Sequence, residues 1–410
     1  MKLDLKPLNT KFLPYGRQII DADDIEAVVT ALQSTNLTQG AAVDQFEEQL
    51  CRLTGARYAV AVSNGTAALH LAGMALGLKP QALAVTSSIT FAASSNSLLY
   101  NGLQAGFTDI ERNTGLMCMK DLNRKLEEAH QAGTPIELVV PVHFAGQACD
   151  MATLWSLKKK FGFKIIEDAS HAIGATYQSG TSVGSSNESE MTTISFHPVK
   201  HLTTGEGGVV LTNNPTYNAK LRTLRSHGIV RDPSIYKDLK AALDPLTNEP
   251  NPWYYEMQSL GFNYRLPDIN AALGFSQTQK LDKFVRRRRE IAKLYDELLK
   301  GSEYFTSSAS SEYGESSYHL YVIFLKPKIQ ALRPQIMKAL TAAGIGSQVH
   351  YIPVPSMPYY RSLDFVTPVN SEDFYRSCLS IPMYPALKDS DVQHVVTQMH
   401  AVTTSILGKY

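Results

Sequence analysis

Leu138-Val-Val-Pro-Val-His143, a helical pattern over Met151–Phe161, and Lys164-Ile-Ile-Glu-Asp168 form the stretch whose reading decides the fold. They read as strand, helix and strand: short apolar runs of strand length flank a longer segment of helical periodicity. The same alternation extends outward in both directions. Upstream lie Tyr58-Ala-Val-Ala-Val62, a turn and cap at Asn64-Gly-Thr66, a helix over 67–76, a strand at Leu83-Ala-Val85, a helix over about 90–100 and a weaker strand at Ala105-Gly-Phe107. Downstream lie strands at 192–195 and at Gly208-Val-Val-Leu-Thr212. This β-α order predicts an α/β sheet with helices on both faces. Ligands in such sheets bind outside the strand ends, and Asp168 stands at one of them.

The chain has 410 residues, which favours two domains over one core. The reading divides it into a large domain over 1–255 and a small C-terminal α+β domain over 256–410 that includes a long connecting helix. That helix runs from Leu266-Pro267 to about Lys300. A strand over 318–324, a helix over 333–343, the segment Gly346-Ser-Gln-Val-His-Tyr351 and a last helix from about Ser390 follow. Residues 228–253 carry several Pro, Asn and Asp and little periodicity, so they read as a long loop. Arg286-Arg-Arg-Arg289 reads as a solvated helix face with a few ion pairs.

Composition excludes several classes. Net charge is +1, with 19% charged residues, so no global field draws the chain to nucleic acid or to an acidic membrane. Cys51, Cys118, Cys149 and Cys378 are scattered without a CxxC pair and read as reduced thiols, with no metal site expected. Met1-Lys-Leu-Asp-Leu-Lys-Pro7 lacks a signal-peptide core, and no run is long enough to span a bilayer. A cytoplasmic location is the expectation.

The chemistry centres on Lys200, inside Ser195-Phe-His-Pro-Val-Lys200-His-Leu-Thr-Thr-Gly-Glu-Gly-Gly208. A lysine can form a Schiff base, and an aspartate at a buried strand end can keep a pyridine nitrogen protonated. Lys200 with Asp168 is therefore what pyridoxal 5′-phosphate requires. Ser63-Asn-Gly-Thr-Ala-Ala68 follows a strand and opens a helix. Its free N–H groups suit a phosphate, although an ordinary capped helix start reads the same way. Neither GxGxxG nor GxxxxGK[ST] is present to indicate a dinucleotide or a P-loop. Phe91 could stack on a flat ring or simply pack in the core. His171 could touch a cofactor or satisfy a core hydrogen bond. Ser195 is a further candidate for the phosphate.

Together Ser63-Asn-Gly-Thr-Ala-Ala-Leu69, Glu167-Asp-Ala-Ser-His171, Ser195-Phe-His-Pro-Val-Lys200 with Gly205-Glu-Gly-Gly208, and Gly261-Phe-Asn-Tyr-Arg265 resemble the DegT/DnrJ/EryC/StrS sugar aminotransferases. The likeness runs from about Pro14 to the C-terminus. It implies fold type I (aspartate aminotransferase-like), with a mixed, mostly parallel sheet in the large domain. It implies Lys200 as Schiff-base lysine and proton shuttle, Asp168 as partner of the ring nitrogen and Phe91 as stacking aromatic. Gly65, Thr66 and Ser195 would hold the phosphate. Asn263 would reach the phosphate of a neighbouring subunit, which implies a homodimer with a shared site.

Pro14-Tyr-Gly-Arg-Gln18, Leu37-Thr-Gln-Gly40, His197-Pro-Val-Lys200 and His350-Tyr-Ile-Pro-Val354 resemble the branch of that family serving pseudaminic-acid biosynthesis. This implies transfer of an amino group from L-glutamate to the 4-keto group of a UDP-linked 2-acetamido-2,6-dideoxy hexulose. Tyr15, Arg17, Gln39, Arg231, His319, His350 and Tyr351 would line the substrate pocket. Gly16 and His201 depart from the pattern, which leaves another nucleotide-linked keto sugar open as substrate. A non-catalytic pyridoxal-binding regulator is the remaining alternative, and no appended DNA-binding motif accompanies it.

Overall fold

The computed structural model describes residues 12–185 and 188–408; the stretch Met1-Lys-Leu-Asp-Leu-Lys-Pro7 read above lies outside them. Seven strands build the large sheet: β1 Tyr58–Val62, β2 Leu83–Ser87, β3 Gln104–Thr108, β4 Ile136–Val140, β5 Lys164–Asp168, β6 Met191–Ser195 and β7 Gly208–Thr212. Their order is β1-β7-β6-β5-β4-β2-β3. β7 runs antiparallel to both its neighbours, and the remaining pairings are parallel. Every strand expected in this region is present. The one read through His143 stops at Val140, because Pro141 has no N–H to give to the ladder. Its carbonyl still accepts the Asp168 N–H at 2.9 Å, and the His143 N–H reaches the Asp168 carbonyl at 3.0 Å. The backbone that carries Asp168 is thus held against the end of β4.

Helices α1 Ala22–Gln33, α2 Ala41–Thr54, α3 Gly65–Leu76, α4 Ala92–Tyr100, α5 Met119–Gln131, α6 Met151–Phe161 and α7 Pro215–Leu224 surround the sheet. Strand residues alternate between two cores, as a period of two requires. Val139, Ile165, Ile194 and Val209 pack with Phe46, Leu50, Leu122 and Leu154 of α2, α5 and α6. Leu138, Val140, Ile166 and Val210 pack with Leu71, Leu98 and Leu221 of α3, α4 and α7.

The excursion read as a loop is ordered. A short α8 Leu239–Ala242 lies inside it, and β8 Ile229–Val230 closes it by pairing with β9 Glu256–Met257. Elements this short leave no periodicity to read. The long helix is two, α9 Asp268–Thr278 and α10 Leu281–Leu299. At the break the Lys280 amine pairs with Asp21 at 2.6 Å and Asp24 at 2.8 Å, and the Gln277 amide donates to Asp24 at 2.7 Å. These contacts to α1 are long-range and invisible to a helical pattern.

A second sheet, β10 Phe305–Ser307, β11 Tyr321–Leu325 and β12 Cys378–Ile381, is antiparallel throughout. α11 Arg333–Ala342, α12 Pro358–Arg361, α13 Val369–Ser377 and α14 Asp389–Leu407 complete this part. β11 starts three residues later than expected because Tyr318 has φ 49°, outside strand geometry. Gly346–Tyr351 makes a single bridge, Gln348 to Ser380, in place of a strand.

The arginine run needs correction. Arg288 is 1% exposed. It shares a helix face with buried Phe284, Ile291, Ala292 and Tyr295. Its guanidinium donates to the carbonyls of Tyr318, His319 and Met383 at 3.1, 3.2 and 3.0 Å. Four consecutive arginines cover every direction of a helix, so one of them had to point inward. Arg287 and Arg289 do form ion pairs, with Asp389 and Glu315. Among the described residues no helix is long and apolar enough to cross a membrane, and no cluster of His, Cys, Asp and Glu is arranged to hold a metal ion.

Candidate active site

Asn64 ends β1's connection and caps α3, its side chain accepting the Ala67 N–H at 2.8 Å. The start of α3 is pressed against the β6–β7 hairpin by two glycines. A Cβ on Gly65 would meet the Ser195 Cβ at 2.9 Å, and one on Gly208 would meet the Asn64 carbonyl at 2.5 Å. Ser195 and Gly208 face each other across the ladder. The result is a helix N-terminus with uncommitted N–H groups beside two hydroxyls, Thr66 and Ser195. This is an anion cradle.

Lys200 sits in the turn between β6 and β7. Its N–H bonds the His197 carbonyl at 2.9 Å, and Thr204 N–H returns to Phe196 at 3.0 Å. Gly205, at φ 79°, lets the chain reverse into β7. Burial pushes the Lys200 amine down to about 8, against the pull of the Asp168 carboxylate. Asp168 is 6% exposed. One of its oxygens accepts the Ser94 hydroxyl at 2.6 Å and the other the Ser170 N–H at 3.1 Å. On the other face of β5, Glu167 accepts His143 at 2.7 Å and the Tyr177 hydroxyl at 2.8 Å, which anchors the strand.

These elements enclose a cavity of about 820 Å³ lined by Tyr15, Gly65, Thr66, Phe91, Asp168, His171, Ser195, Lys200, His319, His350 and Tyr351. Eleven of the expected residues therefore converge. Phe91 is 63% exposed, which rules out core packing. His171, His201 and His319 crowd together, with the His171 and His319 rings 4.3 Å apart. Burial and the neighbouring Lys200 hold all three well below the ordinary histidine range. His350, buried and bonded to Ser380 at 2.8 Å, is lowered to about 3. Tyr15 stands over the His350 ring at 5.3 Å. The cavity therefore presents neutral rings around the Lys200 amine and the Asp168 carboxylate, with Glu206 also in its lining.

Four expected residues lie outside it. Gln39 and Arg231 line a separate cleft of about 520 Å³, together with Arg265. The Arg231 guanidinium rests 5.0 Å over the Tyr255 ring. Asn263 is exposed, its backbone bridged to Ser226. Arg17 lies near Tyr384, where its charge opposes the burial that pushes that phenol up to about 12. Conversely, Tyr100, His197, Glu206 and Tyr264 line the cavity without having been singled out. Ser94, which holds Asp168, was also missed. Its pairing spans 74 residues and leaves no local signal.

The donor set suits pyridoxal 5′-phosphate. The Gly65 turn leaves room for an oxyanion, and a buried carboxylate and an amine of lowered pKa line the same cavity. Phe91 offers an exposed aromatic face.

The chain is 37% identical over 399 residues to a UDP-4-amino-4,6-dideoxy-N-acetyl-beta-L-altrosamine transaminase of Campylobacter jejuni, covering 97% of this chain and 99% of that relative. Among solved structures it resembles Helicobacter pylori PseC, an aminotransferase involved in the biosynthesis of pseudoaminic acid. That match has a TM-score of 0.86 and 30% identity, and covers 96% of this chain and all of the other. It also resembles the PLP form of the sugar aminotransferase Spr1654 of Streptococcus pneumoniae, with a TM-score of 0.84, 26% identity and 96% and 99% coverage. The model of the DegT/DnrJ/EryC1/StrS aminotransferase family matches residues 18–400, and the chain belongs to that family.

Proposed function

We propose that this chain is a pyridoxal-phosphate-dependent aminotransferase that moves an amino group from L-glutamate to the 4-keto group of a UDP-linked 2-acetamido-2,6-dideoxy hexulose. The observation that carries the reaction class is the meeting of Lys200, Asp168 and the Gly65–Ser195 cradle in one cavity. The substrate rests on the Campylobacter relative, matched along nearly its whole length.

When bound, the cofactor supplies an electron sink for the donor's α-carbon. The chain supplies the rest. Asp168 holds the proton on the ring nitrogen, oriented by Ser94 and Ser170. The α3 N-terminus, Thr66 and Ser195 hold the phosphate. Lys200 Nζ, half neutral near pH 8, takes a proton from the donor's α-carbon in one half-reaction and gives one to the sugar's C4 in the other. A base already at the reacting centre serves both halves. His319, His350 and Tyr15 form an uncharged wall toward the sugar.

The same reading makes the enzyme a homodimer. Among the described residues no arginine lines the Lys200 cavity, yet both substrates carry anions. Arg222, Arg231 and Arg265 stand in the cleft with Gln39, and Met257, paired with the cleft's Ile229, is an exposed apolar residue. A second copy covering that surface would bring Asn263 and these cations to its partner's cavity. Four free cysteines suit a cytoplasmic setting.

The test is direct. The loaded enzyme, given L-glutamate, loses its visible absorbance and releases 2-oxoglutarate. Among UDP-, GDP- and dTDP-linked 4-keto and 3-keto sugars, the UDP-linked 4-keto sugar restores the absorbance fastest. No response to glutamate would defeat the aminotransferase reading, and faster restoration by another sugar would defeat only the substrate.

A further inference from the structure

Four consecutive carbonyls in the segment that carries His319 each accept a side-chain donor. Arg289 Nε reaches the Ser316 carbonyl at 2.9 Å, and His201 Nε2 reaches that of Ser317 at 2.9 Å. Arg288 Nη1 reaches those of Tyr318 and His319 at 3.1 and 3.2 Å. The backbone N–H groups of Ser317 and Leu320 bond elsewhere, to the carbonyls of Gly146 and Ala145 at 3.0 and 3.3 Å. Gly146 leaves no slack there, because a Cβ on it would lie 2.8 Å from the backbone nitrogens of Tyr318 and His319. Ser317 is fully buried, and Tyr318 is held at φ 49°. A bulky residue keeps such a backbone only where its surroundings dictate it. The segment is pinned from both sides, and its pins decide where the His319 ring stands in the Lys200 cavity.

The pins come from different parts of the fold. Arg288 and Arg289 belong to α10, whereas His201 belongs to the turn between β6 and β7 that carries Lys200. A carbonyl only accepts, so His201 Nε2 carries a proton. Burial, and after it the charge of Arg288, hold the ring neutral, which leaves its Nδ1 bare. The ring is 3% exposed and lies 5.5 Å from that of His319. Among the described residues, Lys200 and His319 line the cavity and His201 does not. One hydrogen bond thus ties the residue after the reactive lysine to the residue two before His319. It fixes the offset between the amine and this part of the cavity wall.

We propose that His201 is a positioning residue that acts through His319 to select the keto sugar. This rests on the aminotransferase reading above. The two substrates differ in what they tolerate. Glutamate is a flexible chain that adjusts to a shifted wall, whereas a hexose ring is stiff and must present one carbon to the amine. Without His201 the buried Ser317 carbonyl loses its donor and must seek another, which moves the backbone that carries His319.

Single-turnover absorbance of the loaded enzyme separates the two half-reactions. One uses L-glutamate, and the other uses the keto sugar that restores the absorbance fastest. His201→Leu removes the donor, and His201→Gln replaces it, since a glutamine amide nitrogen falls near the place of imidazole Nε2. In His201→Leu the second-order rate constant for the sugar is expected to fall at least about fivefold more than that for glutamate, the scale of one hydrogen bond. His201→Gln should recover most of that loss. In a His319→Ala background, His201→Leu should cause no further loss, because both act through one ring. Equal losses in the two half-reactions, a Gln variant as impaired as the Leu variant, or additive losses with His319→Ala would each overturn the proposal and leave the aminotransferase reading intact. A parent enzyme that does not respond to glutamate would overturn both. A second measurement needs no cofactor: ¹⁵N NMR of histidine-labelled apoprotein near neutral pH, with His201 assigned from the signal lost in His201→Gln. A protonated Nε2 with a bare Nδ1 supports the proposal, and a protonated Nδ1 refutes it.

Discussion

The Lys200 amine carries a prediction that can be worked through from the structure. Its pKa is lowered from 10.5 to about 8 because it is buried, with Asp168 pulling the other way. Only the neutral amine can attack the aldehyde of the cofactor. At pH 7.5 an amine of pKa about 8 is about one quarter neutral, whereas one of pKa 10.5 is about one part in a thousand neutral, a difference of about 240-fold. The rate at which apoprotein condenses with pyridoxal 5′-phosphate should therefore rise about tenfold per pH unit below about 8 and level off above it. Asp168→Asn removes the carboxylate that favours the charged amine, so the plateau should begin at lower pH in that variant. Stopped-flow absorbance of the visible band, from pH 6 to 10, measures both profiles. A rate that keeps climbing to pH 10 would show an ordinary, solvated lysine and refute the argument. A plateau that moves upward in Asp168→Asn would refute the assigned sign.

Three further outcomes follow from the same geometry. Lys200→Met apoprotein should be more stable than the parent at pH 7, because the folded state disfavours the charged amine. The drop from 10.5 to about 8 sets an upper bound of about 3 kcal/mol, fully present below pH 8 and vanishing as pH rises through 10.5; urea unfolding at pH 7 and pH 11 tests it. Gly65→Ala should weaken cofactor binding at least ~10-fold by fluorescence titration, since its Cβ would lie 2.9 Å from that of Ser195; Gly65→Ala combined with Ser195→Gly should recover part of the loss, and identical affinities in all forms would count against the cradle. Mixing inactive Lys200→Ala with an inactive Asn263 variant should restore activity, because hybrid dimers would contain one intact shared site; no recovery on mixing would argue for self-contained subunits.

Local chemistry made much of this protein legible from its residues in order. The strongest strands announce themselves because a sheet buried on both faces needs short apolar runs, and runs such as Val60-Ala-Val62 and Leu138-Val-Val140 have no solvated alternative. Asn64 before a glycine and a threonine is a helix start, and a lysine before a Gly-rich reversal is a turn; both are properties of a few neighbouring residues. Asp168, Lys200, Gly65 and Ser195 could therefore be named before any contact was known. What the tertiary structure decided is everything that depends on residues distant in the chain. Lys280 reaching Asp21 and Asp24 splits one helical pattern in two. Arg288 turns inward because carbonyls from 318, 319 and 383 happen to meet it. Ser94 orients Asp168 across 74 residues. His171 meets the Ala145 N–H on one side and the Tyr351 hydroxyl, 180 residues away in the chain, on the other. Periodicity and turn chemistry report only the energies of neighbours along the chain. The direction of a hydrogen bond or the lowered pKa of a lysine depends on which groups the fold brings together through space.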